Sequence, residues 1–211
     1  MTSPGRIIRT PADLRAGATW LARQDSRFAP VLAATGPLPL RLMPPGFPSL
    51  VDIIVSQQVS VASATAIRAR LDAAGLRQAQ AVRATDEAAL RAAGLSRPKA
   101  RYIFALAAAD VDFNALHRMT DAQAEAALCA LRGIGPWTAQ IYVMFALGRA
   151  DGFAPGDLAL QESARQVFDL AERPSARELA ALAQDWSPWR SVAARALFAY
   201  YRVLKNKEGL G

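Results

Sequence analysis

The chain has 211 residues, 52 % of them hydrophobic, a single cysteine and a formal net charge of +7, with an isoelectric point near 10.3. That length and apolar content suffice for a sizeable core and exclude a disordered chain, while the lone Cys129 excludes an internal disulfide and any cysteine-ligated zinc or iron–sulfur site. No apolar run is long enough to span a membrane, and M-T-S-P-G-R-I-I-R-T lacks a signal-peptide core, so the expectation is a soluble, cytoplasmic protein with no membrane partner. The basic balance favours a polyanionic partner, because neutralised phosphates release counterions.

Thr10-Pro11-Ala12-Asp13 reads as a capping box opening a helix to about Gln24. Residues 28–48 are rich in proline and turn signals and predict a short turn of helix followed by extended linker. From Ser49 the spacing of Leu50, Ile53 and Ile54 is helical, Gln57-Gln58 interrupts the apolar run, and Ser60 caps a second helix ending near Gly75. Thr85-Asp86-Glu87 starts a short helix that stops at Gly94, and Ser96 with Pro98 opens another. Thr120 with Gln123 forms a capping box, and Ser175 with Glu178 a further one. Leu158 to Leu170 is helical, and Ser187-Pro188 opens a last helix running to about Lys205. No convincing period-2 stretch and no internal repeat is present. The fold class is all-α.

The stretch L-C-A-L-R-G-I-G-P-W-T-A-Q at 128–140, followed by F-A-P-G-D at 153–157, organises the chain. Gly133 and Gly135 bracket Ile134, so two positions tolerate positive φ. Pro136 suits the first turn of the next helix, where its missing N–H has no helical partner. The amides of Gly133, Gly135 and Thr138 then point out of a helix N-terminus, a place that favours a phosphate. Ile134 can be buried between the two helices and lock the turn. Asp157 follows in a Pro-Gly loop at the head of another helix, where it also reads as an ordinary N-cap.

These residues resemble the helix-hairpin-helix motif of the HhH-GPD DNA glycosylase superfamily, and the whole string is most similar to its 3-methyladenine DNA glycosylase II (AlkA-type) branch. I-V-S-Q-Q-V-S-V-A-S-A at 54–64, G-L-S-R-P-K-A at 94–100 and W-S-P-W-R-S at 186–191 carry the likeness further, from roughly Pro48 to Tyr201. The resemblance implies two helical lobes, 1–47 with 149–211 and 48–148, with a DNA-binding cleft between them and the hairpin at 128–148. It implies a compact form, since the N-terminal β domain of larger members finds no room before the first landmark. It also implies a monomer acting on double-stranded DNA that contains alkylated bases.

The resemblance makes Asp157 the catalytic carboxylate, with Asp151 the weaker choice. Breaking an N-glycosidic bond develops positive charge on the sugar, which a carboxylate stabilises. Trp137 stands where strand-cleaving relatives carry a lysine able to form a Schiff base, which implies base removal without lyase activity. Its indole can stack on an extruded cationic base. Phe198, Ile141 and Tyr142 complete the expected base pocket, with Phe198 and Ile141 offering less aromatic surface than the family pattern. Gln58, with Gln57 beside it, falls where the family places a wedge that fills the gap left by a flipped base. Arg97, Lys99 and Arg190 are candidate phosphate anchors. The likeness further implies a structural sodium or potassium ion on the backbone carbonyls of Cys129, Leu131 and Ile134, and no iron–sulfur cluster. His117 and the Cys129 side chain read as ordinary packing and surface residues.

The expected substrates are N3-methyladenine and N7-methylguanine, with N1-methyladenine, N3-methylcytosine and hypoxanthine still open. Two other readings stay open at this point. The chain could be a non-catalytic DNA-binding module that uses the hairpin alone, or a bifunctional glycosylase/lyase for oxidised bases.

Overall fold

A computed structural model describes residues 5–208. Among the described residues the regular structure is helical, and the one extended pairing is an isolated antiparallel bridge between Ile7 and Arg149. None of the described helices is long and apolar enough to cross a membrane. The chain divides into two compact units, one of Met43–Leu147 and the other of Gly5–Leu42 with 148–208.

The Met43–Leu147 unit contains α3 (Phe47–Ser56), α4 (Val61–Ala73), α5 (Ala79–Arg83), α6 (Glu87–Ala92), α7 (Arg97–Ala108), α8 (Phe113–Arg118), α9 (Asp121–Cys129) and α10 (Pro136–Phe145). Helix α10 is its centre. Every residue from Ile141 to Phe145 is buried, as befits a helix that is apolar all round. It packs against α9 and α3, and α3 buries Leu50, Val51, Ile53, Ile54 and Val55. The chain before α3 joins this unit through its main-chain donors: the Met43 N–H donates to the Phe145 carbonyl at 2.8 Å, and the Gly46 N–H donates to the side-chain Oη of Tyr142 at 2.7 Å. Helices α5 and α8 fall outside the sequence expectation. Both are under two turns long, too short to show an apolar stripe, and α8 starts on an Asp112 side chain that accepts from the Asn114 and Ala115 amides.

The other unit contains α1 (Pro11–Gln24), α2 (Phe28–Thr35), α11 (Leu158–Val167), α12 (Ala176–Leu182), a 3₁₀ turn (Ala183–Trp186) and α13 (Arg190–Glu208). Helices α2 and α11 pack on α13, and the Ser163 hydroxyl of α11 donates to the Leu197 carbonyl of α13 at 2.9 Å. An aromatic cluster fills the space beside them. Trp186 meets the edges of Phe28 and Phe153 and stacks on Phe168, with ring centroids 5.2 to 5.7 Å away. Arg195 is buried in α13. Burial pushes its pKa down to about 10, and its guanidinium donates to the carbonyls of Ser191 and Leu40 and to the Ser191 hydroxyl.

The three capping boxes, Thr10 with Asp13, Thr120 with Gln123 and Ser175 with Glu178, form as the sequence predicts. The last helix begins later than expected, at Arg190 rather than at Ser187-Pro188. The Ser187 hydroxyl donates to Asp151 Oδ2 at 2.9 Å instead of capping the helix.

Candidate functional site

The turn from α9 to α10 is a tight hairpin. Helix α9 ends at Cys129, and the Ile134 N–H closes the turn onto the Leu131 carbonyl at 3.1 Å. Ile134 is buried, as its place between two helices requires. Gly133 has φ +84°, and a Cβ there would lie 2.1 Å from the Tyr102 ring of α7, so the position demands glycine twice over. Gly135 is the N-cap of α10. Its φ is −91°, no side chain caps the helix there, and a Cβ would meet nothing within 4 Å. The end of α10 thus presents first-turn amides with the positive end of the helix dipole behind them. Thr138 is only 2 % exposed. Its hydroxyl accepts from Gln57 Nε2 at 2.8 Å, which ties the side chain to the α3–α4 loop.

The carbonyls of Cys129, Leu131 and Ile134 lie in this same turn. They are neutral oxygen donors near the negative end of the α9 dipole, which suits a monovalent cation. Among the described residues, no group of three or more His, Cys, Asp or Glu could hold a metal ion.

The loop joining α3 to α4 carries Gln58, the residue that the sequence suggests as a wedge. Gln58 is exposed and left-handed, at φ +53°. Val59 and Val61 beside it are 38 % and 82 % exposed, and Ser60 caps α4 by accepting from the Ser63 amide. The loop tip is therefore an amide side chain flanked by unburied valines. Gln57 corrects the sequence reading: its side chain turns back onto Thr138 and is half-buried, so it does not share the wedge role.

In the other unit, Asp157 is the N-cap of α11. Its Oδ1 accepts from the Ala159 amide at 2.9 Å and the Leu160 amide at 3.2 Å. The reading of this residue as a helix cap is thus realised, and both capping bonds fall on Oδ1. The loop that carries it is pinned on both sides. Phe153 packs on Trp186, the Asp157 N–H donates to the Ala154 carbonyl at 3.0 Å, and Gln161 Nε2 donates to the Pro155 carbonyl at 2.9 Å. The carboxylate is half-buried, and Leu158 next to it is 63 % exposed. Sequence reasoning passed over Gln161 and Leu158, because each looks like an ordinary member of an amphipathic helix.

Asp151 has a different task. It accepts from Arg190 Nε at 2.9 Å and Nη2 at 2.8 Å, and from the Ser187 hydroxyl. This bidentate pair holds the start of α13. It also corrects the reading of Arg190 as a phosphate anchor, since its guanidinium is directed at a carboxylate.

The pocket residues separate. Trp137 and Ile141 lie four residues apart on one face of α10, the former half-buried and the latter buried. Phe198 is half-buried on α13. Tyr142 does not belong with them. It is fully buried, its ring packs 6.2 Å from Phe113, and its hydroxyl is engaged by Gly46. Burial pushes its pKa up to about 12. It is a strut of the core rather than a pocket wall, because a step of five residues from Trp137 turns it to another side of the helix. Lys99 is likewise corrected. Its ammonium donates to the carbonyls of Val55 and Gln57 at 2.9 and 2.6 Å, and burial lowers its pKa. Arg97, at the start of α7, is exposed.

Comparison with known proteins adds four findings. The family model described as HhH-GPD superfamily base excision DNA repair protein matches residues 51–188. The chain is 24 % identical over 195 residues to the alkylbase DNA glycosidase-like protein mag2 of Schizosaccharomyces pombe, covering 87 % of this chain and 92 % of that one. It is 33 % identical over 93 residues to YfjP of Bacillus subtilis, which is 44 % of this chain but only 32 % of that relative's length. The crystal structure of a DNA-3-methyladenine glycosidase from Bacillus halodurans superposes with a TM-score of 0.77 at 30 % identity, covering 90 % of this chain and 91 % of that chain.

Proposed function

The chain belongs to the HhH-GPD superfamily of base excision DNA repair proteins, and from that premise we propose that it is a monofunctional DNA glycosylase for alkylated bases in double-stranded DNA. The observation that carries the reading is Asp157, a half-buried carboxylate on a pinned loop at the head of α11. The names of the mag2 and Bacillus halodurans relatives support alkylated bases as the substrate class. The net charge of +7 suits a DNA partner.

In this mechanism the α10 amides hold a backbone phosphate while Gln58 fills the space of the extruded nucleotide. A base alkylated at N3 or N7 is already cationic, so it leaves with the electrons of the N-glycosidic bond and needs no protonation. The developing oxocarbenium charge on the sugar is stabilised by Asp157. Water then adds at the anomeric carbon and gives up a proton, leaving an abasic site. Trp137 and Ile141, on one face of α10, supply surface for the base, and the indole adds roughly 0.5–2 kcal/mol over a cation. N3-methyladenine and N7-methylguanine fit this chemistry best. With tryptophan at position 137 no amine attacks the sugar from that position, so no lyase step follows. A sodium or potassium ion on the Cys129, Leu131 and Ile134 carbonyls would reinforce the phosphate clamp and take no part in the chemistry. The protein acts as a monomer.

The test is a panel of duplexes, each carrying one defined lesion, incubated with wild type and Asp157→Asn. Wild type is expected to release alkylated bases, with no covalent adduct trapped by borohydride, and the variant to bind DNA but release none. Equal release by both removes Asp157 from the mechanism. Binding without release by either leaves a DNA-binding module.

A further inference from the structure

Helix α3 ends at Ser56, where the Ile54 carbonyl still accepts the Gln57 N–H but the carbonyls beyond it have no donor from a continuing helix. A cation placed there satisfies them and complements the helix dipole. Lys99 does this from α7, more than forty positions along the chain, by bonding the carbonyls of Val55 and Gln57 with one ammonium. The Gln57 side chain then crosses to α10 and donates to Thr138 Oγ1. The next residue, Gln58, holds φ +53°, a conformation that is strained for a non-glycine residue and persists only where its surroundings impose it. Here they do: Lys99 grips the peptide before it, Thr138 grips the side chain before it, and Ser60 starts α4 two residues after it.

We propose that Lys99 is a positioning residue, which with Gln57 clamps the α3–α4 loop so that Gln58 stands outward as a rigid wedge in register with the phosphate-binding end of α10. The inference rests on the glycosylase reading above. Its physical content is mechanical. A wedge that enters a base stack is pushed back by the bases it displaces, and a loop without the two ties yields before the stack does. Thr138 is the joint, since its buried hydroxyl anchors the wedge loop while its amide belongs to the clamp on the strand.

The experiment is single-turnover release of N7-methylguanine from two substrates, one with the lesion paired in a perfect duplex and one with the same lesion in a single strand. Wild type, Gln58→Ala, Lys99→Met and Gln57→Ala are compared, each with its melting temperature. The Lys99 and Gln57 variants are expected to slow release from the duplex by about tenfold or more, the scale set by a few kcal/mol of unstacking. On the single strand, which needs no wedge, they stay within about twofold of wild type, and Gln58→Ala shows the same pattern. A merely structural Lys99 would lower both rates by the same factor, and that result overturns the proposal. So does a context effect in Gln58→Ala that is missing from the Lys99 and Gln57 variants; glycosylase activity then stands without the clamp. Absence of release by wild type overturns the function and this inference together. Should Lys99→Met fail to fold, its melting curve reveals it and Gln57→Ala carries the comparison.

Discussion

Helices α10 and α11 are each ten residues long, and their N-termini are built in opposite ways. The α11 terminus is closed by its own side chain, with Asp157 taking the Ala159 and Leu160 amides. The α10 terminus has glycine at the cap and no side-chain partner, and the space over Gly135 is open. A helix end that satisfies itself has no use for an external anion, whereas one that does not is a ready place for a phosphate. The same helix-terminus physics thus gives two tools. One end is left without a side-chain cap, and the other is closed by a carboxylate.

The largest expected effect breaks the α11 side of this contrast. Asp157→Asn keeps a good capping side chain and removes the charge. Base release is expected to fall by about 10²–10³-fold, the scale of losing one preorganised electrostatic group, with the melting temperature nearly unchanged. Asp157→Ala loses the cap as well and is expected to cost about 1 kcal/mol of stability on top of the activity. If the two variants lose stability equally and keep activity, Asp157 is a cap and nothing more.

Much of this was legible in the sequence, and the boundary is physical. Capping boxes are local patterns four residues long, so Thr10, Thr120 and Ser175 declare their helices directly. Gly-Ile-Gly-Pro does the same for the hairpin, with Ile134 buried inside it. The roles that escaped depend on partners far along the chain. Lys99 finds its carbonyls 42 and 44 residues away, and Arg190 finds Asp151 39 residues away. No periodicity marks such a pair, so the lysine and the arginine both read as candidate phosphate anchors. Tyr142 was misplaced for a related reason: a helix buried on every side offers no polar face from which to tell pocket from core.

The next effect falls on the α10 side. Gly133→Ala puts a methyl group into the Tyr102 ring and forces alanine to φ +84°. A loss of roughly 2–4 kcal/mol is expected from strain and overpacking together, read as a drop in the urea midpoint. Gly133→Ala that melts like wild type would mean that the turn relaxes, and with it the geometry assigned to the clamp.

A smaller effect tests the core beneath that helix. Tyr142→Phe leaves the Gly46 N–H without its acceptor and is expected to cost about 1–2 kcal/mol. The phenol also sets a sign with pH. Its folded pKa lies near 12, above the ordinary value near 10. Below about pH 10 neither state ionises and stability is unaffected. Between about pH 10 and 12 the unfolded chain loses its proton first, so stability falls. Tyr142→Phe removes that one proton, and its urea stability should decline less steeply than that of wild type over this window.

The smallest effect on the fold separates the two glycines of the hairpin. Gly135→Ala meets no atom within 4 Å and sits at φ −91°, so it should melt within about 0.5 kcal/mol of wild type. Its added methyl lies where a phosphate would approach the α10 amides. Affinity for undamaged duplex is therefore expected to fall by roughly fivefold, about 1 kcal/mol, for a weakened hydrogen bond. Titration of both glycine variants against the same duplex decides the matter. If Gly135→Ala binds as wild type does, nothing approaches the open end of α10, and the contrast between the two helix termini loses its functional meaning.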